Sequence, residues 1–153
     1  MLKKKVVIGG TFDVLHKGHR LLLDRSFALG KVFIGLTSDK MVRKTKERKI
    51  RPFEERKRKL CSFIRKTYKA EPEIIKIEDI FGPTLKEDFD YIVVSPETFK
   101  TAILINGIRK KQKKNPIKIV KIKFVLAEDG KPISATRISR GEIDKEGKLY
   151  RQK

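Results

Sequence analysis

Short apolar runs rich in β-branched residues alternate along the chain with longer segments whose apolar residues recur at helical spacing. The short runs predict strands at residues 6–8, 32–36, 74–77, 91–94 and 117–126. The longer segments predict helices at residues 20–29, closed by Gly30, at 52–68, opened by Pro52, and at 97–111. This alternation predicts one α/β domain over residues 1–153: a Rossmann-like, doubly wound sheet of about five parallel strands with helices on both faces.

Three loops follow the carboxyl ends of predicted strands. They cover residues 9–19, 37–51 and 95–98, and each contains glycine or polar residues. Ligands of open parallel sheets bind beyond the carboxyl ends of the strands, where the strand order reverses. We therefore expect the functional site to be built from these three loops.

The net charge widens the choice of partners more than it narrows it. Against 19 Asp and Glu, 39 Lys and Arg give a formal charge of +20, which suits nucleic acid, an anionic membrane surface or a polyphosphate substrate. The basic clusters at residues 43–51, 56–59 and 109–114 lack the interleaved aromatic residues of RNA-stacking sheets. We interpret the 109–114 cluster as solvated surface.

Cysteine use and hydropathy indicate a cytoplasmic chain. The single cysteine, Cys61, lies in a helical pattern of apolar residues, which predicts a buried thiol and excludes an internal disulfide. No apolar run approaches the ~20 residues that span a bilayer, and the first residues lack a signal-peptide core. The high charge favours a monomer, and we expect no membrane partner.

The first loop, GGTFDVLHKGH at residues 9–19, has a phosphate-binding layout. Gly9 and Gly10 allow a ligand to approach the backbone, and free N–H groups at the start of the next helix favour an anion. Its glycine spacing matches neither G-x-G-x-x-G nor the P-loop pattern. Gly18 lets the chain enter the helix while the imidazoles of His16 and His19 converge on one side.

Those two histidines have three interpretations. A zinc site needs a third ligand, and the chain has no further histidine. Alternatively, each ring caps a turn or fills a gap in the packing. We favour the third, in which both rings donate hydrogen bonds or positive charge to phosphate oxygens, as a pKa near neutrality allows.

The string TFDVLHKGH at residues 11–19 resembles the signature of the nucleotidyltransferases that transfer AMP or CMP to a phosphate. Three further strings, IGLTSDKMVRKTKERKIRPFEERKRKL, YIVVSPETFKTAILINGIRKKQ and ISATRISRGEID, follow in the order found in archaeal and eukaryotic phosphopantetheine adenylyltransferases. The resemblance covers about residues 5–144. It implies transfer of AMP from ATP to 4′-phosphopantetheine, which yields dephospho-coenzyme A and pyrophosphate.

The resemblance also implies roles for individual residues. The catalytic residues would be His19, His16 and Lys44, with His19 stabilising the transition state most directly. The ATP-binding residues would be Gly10, Thr11, Phe12, His16, Gly18, His19, Ser95, Ser134, Thr136 and Arg137. The acceptor phosphate would be bound by Thr11, Lys40, Lys44 and Lys46. Ala135 replaces the second serine of the family's Ile-Ser-Ser-Thr segment, which removes one hydroxyl group.

The implied reaction needs no general base, because the second pKa of a phosphate monoester lies near ~6 and the nucleophile is already ionised. It needs in-line positioning and stabilisation of the developing charge. We expect Mg²⁺ to arrive on the ATP phosphates rather than on protein ligands. Asp13 is interpreted as a capping or Mg²⁺-side group, with capping favoured. Glu97 either borders the nucleoside with Ser95 or is a first-turn residue favoured by the helix dipole.

Two other functions remain open from sequence. The same chemistry could act on another phosphate acceptor, as in FMN adenylylation or cytidylyl transfer to a polyol phosphate. A basic nucleic-acid-binding domain would explain the charge but not the converging histidines. The strings after residue 94 and the long loop from residue 37 favour the pantetheine acceptor, so we expect ATP and 4′-phosphopantetheine, and no nucleic acid, as partners.

Overall fold

Five parallel strands form the sheet. The computed structural model describes residues 3–45 and 49–150. The strands are β1 (Lys5–Gly10), β2 (Lys31–Thr37), β3 (Glu73–Ile77), β4 (Tyr91–Val94) and β5 (Lys118–Lys121). Their order is β3-β2-β1-β4-β5, and every pairing is parallel. This confirms the predicted Rossmann-like sheet, and the order reverses between β1 and β4.

Helices cover both faces of this sheet, as predicted. They are α1 (Lys17–Leu29), α2 (Asp39–Thr45), α3 (Phe53–Tyr68), α4 (Phe99–Lys111) and α5 (Ala135–Ser139). Successive side chains of a strand point to opposite faces. In β1, Val6 and Ile8 pack with α1 and α3, whereas Val7 packs with α4. Both faces are therefore buried, as a parallel sheet requires.

Helix α2 lies within residues 37–51, which the sequence predicts as a loop, so this prediction is wrong for residues 39–45. The hydroxyl of Ser38 accepts a hydrogen bond from the Met41 backbone N–H at 3.1 Å, which caps the first turn. Val42 is buried and anchors the helix. Residues 46–48, which include Lys46, lie outside the described residues.

Several boundaries differ from the prediction, three of them near the predicted site or at the end of the sheet. The strand predicted over residues 117–126 ends at Lys121, because its neighbour β4 ends at Val94, whose carbonyl accepts the Ile122 N–H at 2.9 Å. Helix α1 begins at Lys17 rather than at residue 20, and β1 runs through Gly10. The two glycines of the first loop are therefore the last two residues of a strand, directly before the turn.

Arg109 is buried, so the interpretation of the 109–114 cluster as solvated surface is wrong for this residue, whereas Lys110, Lys111 and Lys113 are exposed as expected. Its guanidinium donates to the backbone carbonyls of Asn115 at 2.7 Å, Thr84 at 2.7 Å and Glu87 at 3.0 Å, and it pairs with Asp88. The buried cation thus finds acceptors for its N–H groups. The Cys61 thiol is buried as predicted, and no helix in residues 3–45 and 49–150 is long and apolar enough to cross a membrane.

The segment after β5 forms a small lobe around a third apolar cluster of Ala127, Ile133 and Ile143. It packs against the start of α1. The Lys17 backbone N–H donates to the Lys145 carbonyl at 3.1 Å, and Arg20 forms an ion pair with Glu146. These two contacts hold the lobe that carries α5 against the start of α1, directly after the histidine loop.

Candidate active site

The chain reverses sharply after β1. Phe12 has a φ of 48°, in the left-handed region that side chains other than glycine rarely adopt, and it is buried. Its ring folds back over the strand end, where a Cβ on Gly10 would lie 2.9 Å from Cε2 of Phe12. Glycine at position 10 is therefore required for this turn, and backbone strain of this kind is typical of functional sites.

The two histidines cap helix α1 and each other. Nδ1 of His16 accepts the Gly18 backbone N–H at 3.0 Å, and the His16 backbone N–H donates to Nδ1 of His19 at 3.3 Å. This is a capping box built from histidines. The rings stack with centroids 3.9 Å apart, so the imidazoles converge as predicted.

The backbone contacts determine which nitrogen of each ring carries the proton. A neutral imidazole has one acceptor and one donor nitrogen, and Nδ1 is the acceptor in both rings. Both rings therefore carry their proton on Nε2. The capping and the phosphate-binding interpretations are compatible, because capping uses Nδ1 and leaves the N–H of each ring as a donor, for which the Val14 backbone carbonyl competes at His19.

Both imidazoles are neutral at pH 7. Burial and the nearby charge of Arg20 lower the pKa of His16 to about 4. Burial and then the adjacent His16 lower the pKa of His19 to about 3, although the Val14 backbone carbonyl and Asp13 act in the opposite direction. The pair is therefore suited to donating hydrogen bonds rather than positive charge.

Asp13 holds a second segment against the loop. Its buried carboxylate accepts the Arg51 backbone N–H at 3.0 Å, which places the residues before α3 beside the turn. It thus binds a backbone N–H, as the capping interpretation expects, but the N–H belongs to another segment. Within residues 3–45 and 49–150, no three His, Cys, Asp or Glu side chains cluster as metal ligands do.

Two of the predicted acceptor lysines share a groove. Lys40 and Lys44 lie four residues apart on α2, hence on one face, and both are exposed. They line a cavity of about 550 Å³ with Glu78, Asp79 and Ile80, which follow β3. Thr11, at the adjacent end of β1, accepts a hydrogen bond at Oγ1 from Thr37 at 3.1 Å.

Ser95 directly follows β4, across the switch point from the histidine loop. The hydroxyl of Thr98 accepts its backbone N–H at 3.2 Å, and this turn explains why α4 begins at Phe99 rather than at residue 97. Glu97 is exposed in the same turn, before the helix. Position 95 therefore lies at the carboxyl end of β4, beside the switch point, and its ATP-binding role stays a prediction.

Ser134, Thr136 and Arg137 lie at or in α5. Ser134 is the N-cap, and its hydroxyl accepts the Arg137 backbone N–H at 3.1 Å. The Arg137 guanidinium forms ion pairs with Asp129 and, at 2.8 Å, with Glu142. The structure thus engages Arg137 inside the lobe, and its ATP-binding role stays a prediction.

Sequence reasoning missed Arg56, whose side chain is fully buried beneath the site. The residue belongs to the 56–59 cluster, which was assigned no role. A signal was available: Arg56 occupies the same stripe of α3 as the buried Phe53, Leu60 and Ile64, at helical spacing. A cation on an apolar stripe indicates buried partners.

Comparisons with known proteins agree with this architecture. The family model described as cytidylyltransferase-like matches residues 7–141. The chain is 50% identical to the phosphopantetheine adenylyltransferase of Methanosarcina acetivorans, with 97% of each chain covered, and 48% identical to that of Archaeoglobus fulgidus, with 94% and 97% covered.

A solved structure extends this similarity to three dimensions. The crystal structure of a protein of unknown function from Archaeoglobus fulgidus superposes with a TM-score of 0.74 at 44% identity, covering 77% of this chain and 88% of the other. The match to the family model spans the sheet, the histidine loop and α5. The chain belongs to the cytidylyltransferase-like family of nucleotidyltransferases, in the group of the archaeal phosphopantetheine adenylyltransferases.

Proposed function

We propose that the chain transfers the AMP group of ATP to the phosphate of 4′-phosphopantetheine and releases dephospho-coenzyme A and pyrophosphate. The observation that carries the proposal is the histidine pair, whose Nδ1 atoms are both engaged with backbone N–H groups at the sheet's switch point. The names of the archaeal relatives support the choice of acceptor. Family membership also makes a binding domain without catalytic activity the weaker hypothesis.

The chemistry suits a site without a general base. A phosphate oxygen of the acceptor attacks the α-phosphorus of ATP, and the bond from that phosphorus to the bridging oxygen of pyrophosphate breaks. The acceptor phosphate is ionised at neutral pH, so no proton has to be removed. Neither histidine is set up to take one, because each Nδ1 accepts a backbone N–H and each Nε2 holds a proton.

Stabilisation of the developing negative charge falls to fixed donors. The Nε2–H groups of His16 and His19 donate to the ATP phosphates, with His19 acting most strongly in the transition state. The backbone at Gly10, Phe12 and Gly18 approaches the same phosphates. Donors held in place before the reaction cost no reorganisation when charge develops, which is the main source of catalysis in such sites.

The nucleotide and the acceptor occupy opposite sides of the histidine loop. Ser95 borders the nucleoside from the end of β4, while Ser134, Thr136 and Arg137 at α5 face its triphosphate. Ala135 adds only its backbone to that segment.

The acceptor phosphate is bound by Thr11 and the lysines of α2. Lys44 leads and Lys40 assists from the same face of the helix. Lys46 belongs to the same proposed set. The groove beside α2 suits the pantetheine arm, because Ile80 gives it an apolar wall that is 52% exposed, while Glu78 and Asp79 supply polar partners for amides.

Magnesium enters as part of the substrate in this proposal. Mg²⁺ retains much of its water and binds through phosphates plus one or two protein carboxylates at most. The lack of a ligand cluster among residues 3–45 and 49–150 is compatible with a metal that arrives on ATP.

We also propose a cytoplasmic monomer that acts without nucleic acid. A formal charge of +20 makes self-association costly, which supports the monomer. Light scattering after size exclusion tests it: a single species near 17.8 kDa is expected, and a dimer would contradict it.

One assay tests the function. The purified chain is incubated with Mg²⁺ and either ATP or CTP, together with 4′-phosphopantetheine, FMN or glycerol 3-phosphate, and pyrophosphate release is measured. Release with ATP and 4′-phosphopantetheine alone is expected, with dephospho-coenzyme A identified by mass. Release with FMN, or with CTP and the polyol phosphate, would assign another acceptor, and no release with any pair would contradict catalysis.

A further inference from the structure

Arg56 connects the parts of the active site from below. It lies in the first turn of α3, and its side chain has no exposed surface. A buried guanidinium must satisfy its N–H groups with acceptors. Nε donates to the Arg51 carbonyl at 2.8 Å, Nη1 to the Thr11 carbonyl at 3.1 Å and to Thr37 Oγ1 at 3.3 Å, and Nη2 to Asp39 Oδ1 at 3.1 Å.

These partners belong to different elements. Thr11 leads into the turn at Phe12 and the histidine pair. Asp39 is the first residue of α2, the helix that carries the acceptor lysines, and its carboxylate also accepts the Phe53 backbone N–H at 2.8 Å. Thr37 closes the triangle, because its hydroxyl donates to Thr11 while it accepts from Arg56. One planar cation thus sets the separation of the histidine loop and α2.

We propose that Arg56 is a positioning residue for nucleotidyl transfer: it holds the acceptor-binding helix at the distance from the histidine pair that in-line attack requires. The inference rests on the proposed function. Reacting atoms must lie ~3–3.5 Å apart, and a displacement of ~1 Å can cost about 10²-fold in rate. A residue that touches neither substrate therefore controls the rate through geometry.

The test compares Arg56→Lys with a matched control, Arg109→Lys. Both arginines are buried, both donate to backbone carbonyls, and both pair with an aspartate whose side chain is exposed, 46% for Asp39 and 85% for Asp88. Arg109 lies in the last turn of α4, and its carbonyl partners Thr84 and Glu87 belong to the segment before β4, at the other end of the sheet. Lysine retains the charge but lacks the planar fork that reaches several acceptors at once.

With ATP and 4′-phosphopantetheine, we expect Arg56→Lys to lower kcat by about 10²-fold, while the KM for ATP changes less than about threefold. Arg109→Lys should lower the midpoint of thermal unfolding about as much as Arg56→Lys does, because both variants disrupt a buried guanidinium. Its kcat should stay within about twofold of the wild type. Equal kcat values for the two folded variants would overturn the inference. An inactive wild type would instead overturn the proposed function, and the inference with it.

If Arg56→Lys fails to fold, a second pair of variants tests the positioning role of Arg56. Thr37→Val removes the hydroxyl that joins Arg56 to Thr11 without changing the shape of the side chain, and Thr37→Ser restores that hydroxyl. We expect Thr37→Val to lower kcat about tenfold and Thr37→Ser to recover it to within about twofold. Wild-type kcat in Thr37→Val would overturn the inference.

Discussion

The histidine loop and the lysine helix α2 follow the neighbouring strands β1 and β2, and they differ in burial and charge. The rings of His16 and His19 stack on each other, bind backbone N–H groups and are neutral. Lys40 and Lys44 are exposed on a short helix. The first region offers directed donors at fixed positions, and the second offers charge that solvent and salt screen. We therefore expect the histidines to lower the barrier and the lysines to raise the affinity for the acceptor.

The sharpest test of this comparison is His19→Ala. Loss of one preorganised donor commonly costs on the order of 10² to 10³ in rate, so we expect kcat to fall by that factor. The Kd for ATP, measured by calorimetry, should change less than about threefold, because the contact strengthens in the transition state. The neighbouring Lys17, which is exposed, supplies the control Lys17→Ala with near-normal kcat. Equal losses in rate and affinity would assign His19 to ground-state binding.

The neutral state of the pair predicts how stability responds to acid. Unfolded histidines titrate near 6.5, whereas folding lowers the pKa of His16 to about 4 and that of His19 to about 3. Below pH 6.5 the unfolded chain binds protons that the folded chain does not, so the free energy of unfolding falls as the pH falls. Between pH 7 and 5, the unfolding equilibrium constant should rise about 5 × 10²-fold.

Urea denaturation at both pH values measures this change. The chain has no other histidine, so the double variant His16→Gln, His19→Gln should show little of the pH dependence over this interval. The same pH dependence in the double variant would show that the histidines are not buried as neutral groups.

On the lysine side, Lys44→Ala should raise the KM for 4′-phosphopantetheine about tenfold, the usual size of one lost charge-assisted hydrogen bond. The KM for ATP should change less than about twofold. Arg43→Ala is the matched control, because Arg43 is exposed on the same helix but does not line the groove. A larger effect on kcat than on KM in Lys44→Ala would place this lysine with the transition-state donors instead.

The smallest expected effect is that of salt, which should change the acceptor KM set by the lysines but not the kcat set by the histidines. Raising the salt concentration from about 0.05 M to about 0.5 M shortens the Debye length severalfold, so the acceptor KM should rise about threefold. Neutral donors are insensitive to this screening, and kcat should stay constant in steady-state assays. A parallel fall in kcat would show that charge also acts at the histidine pair.

The regular parts of the fold could be predicted because they depend on hydrophobic periodicity. Runs such as Val6–Val7–Ile8 are buried on both faces and are typical of parallel strands, and their alternation with amphipathic helices predicts the layering. Helix α2 was not predicted because it has seven residues, few of them apolar, and Val42 is the only buried one among residues 39–44. Ser38, which caps α2, indicates a helix start only when a helical pattern of apolar residues follows it, and here none does.

The chemistry of the candidate site could be predicted only in part from the sequence. The convergence of the histidines follows from their spacing and from the family resemblance. Their shared capping box does not, because capping boxes are ordinarily recognised by serine or threonine followed by glutamate or glutamine. Arg56 was hidden for another reason: two of its acceptors are backbone carbonyls, and its partners are contributed by segments far apart in the chain.

The hydrogen bond from Lys17 to Lys145 affects the order in which the site forms during synthesis of the chain. The first amide of α1 and the adjacent Arg20 find their partners at Lys145 and Glu146, more than 120 positions later. On the ribosome the sheet's first strands are therefore made long before the start of α1 can be completed. A nascent chain carries both histidines early, but it finishes their surroundings only after Lys145 and Glu146 have been synthesised.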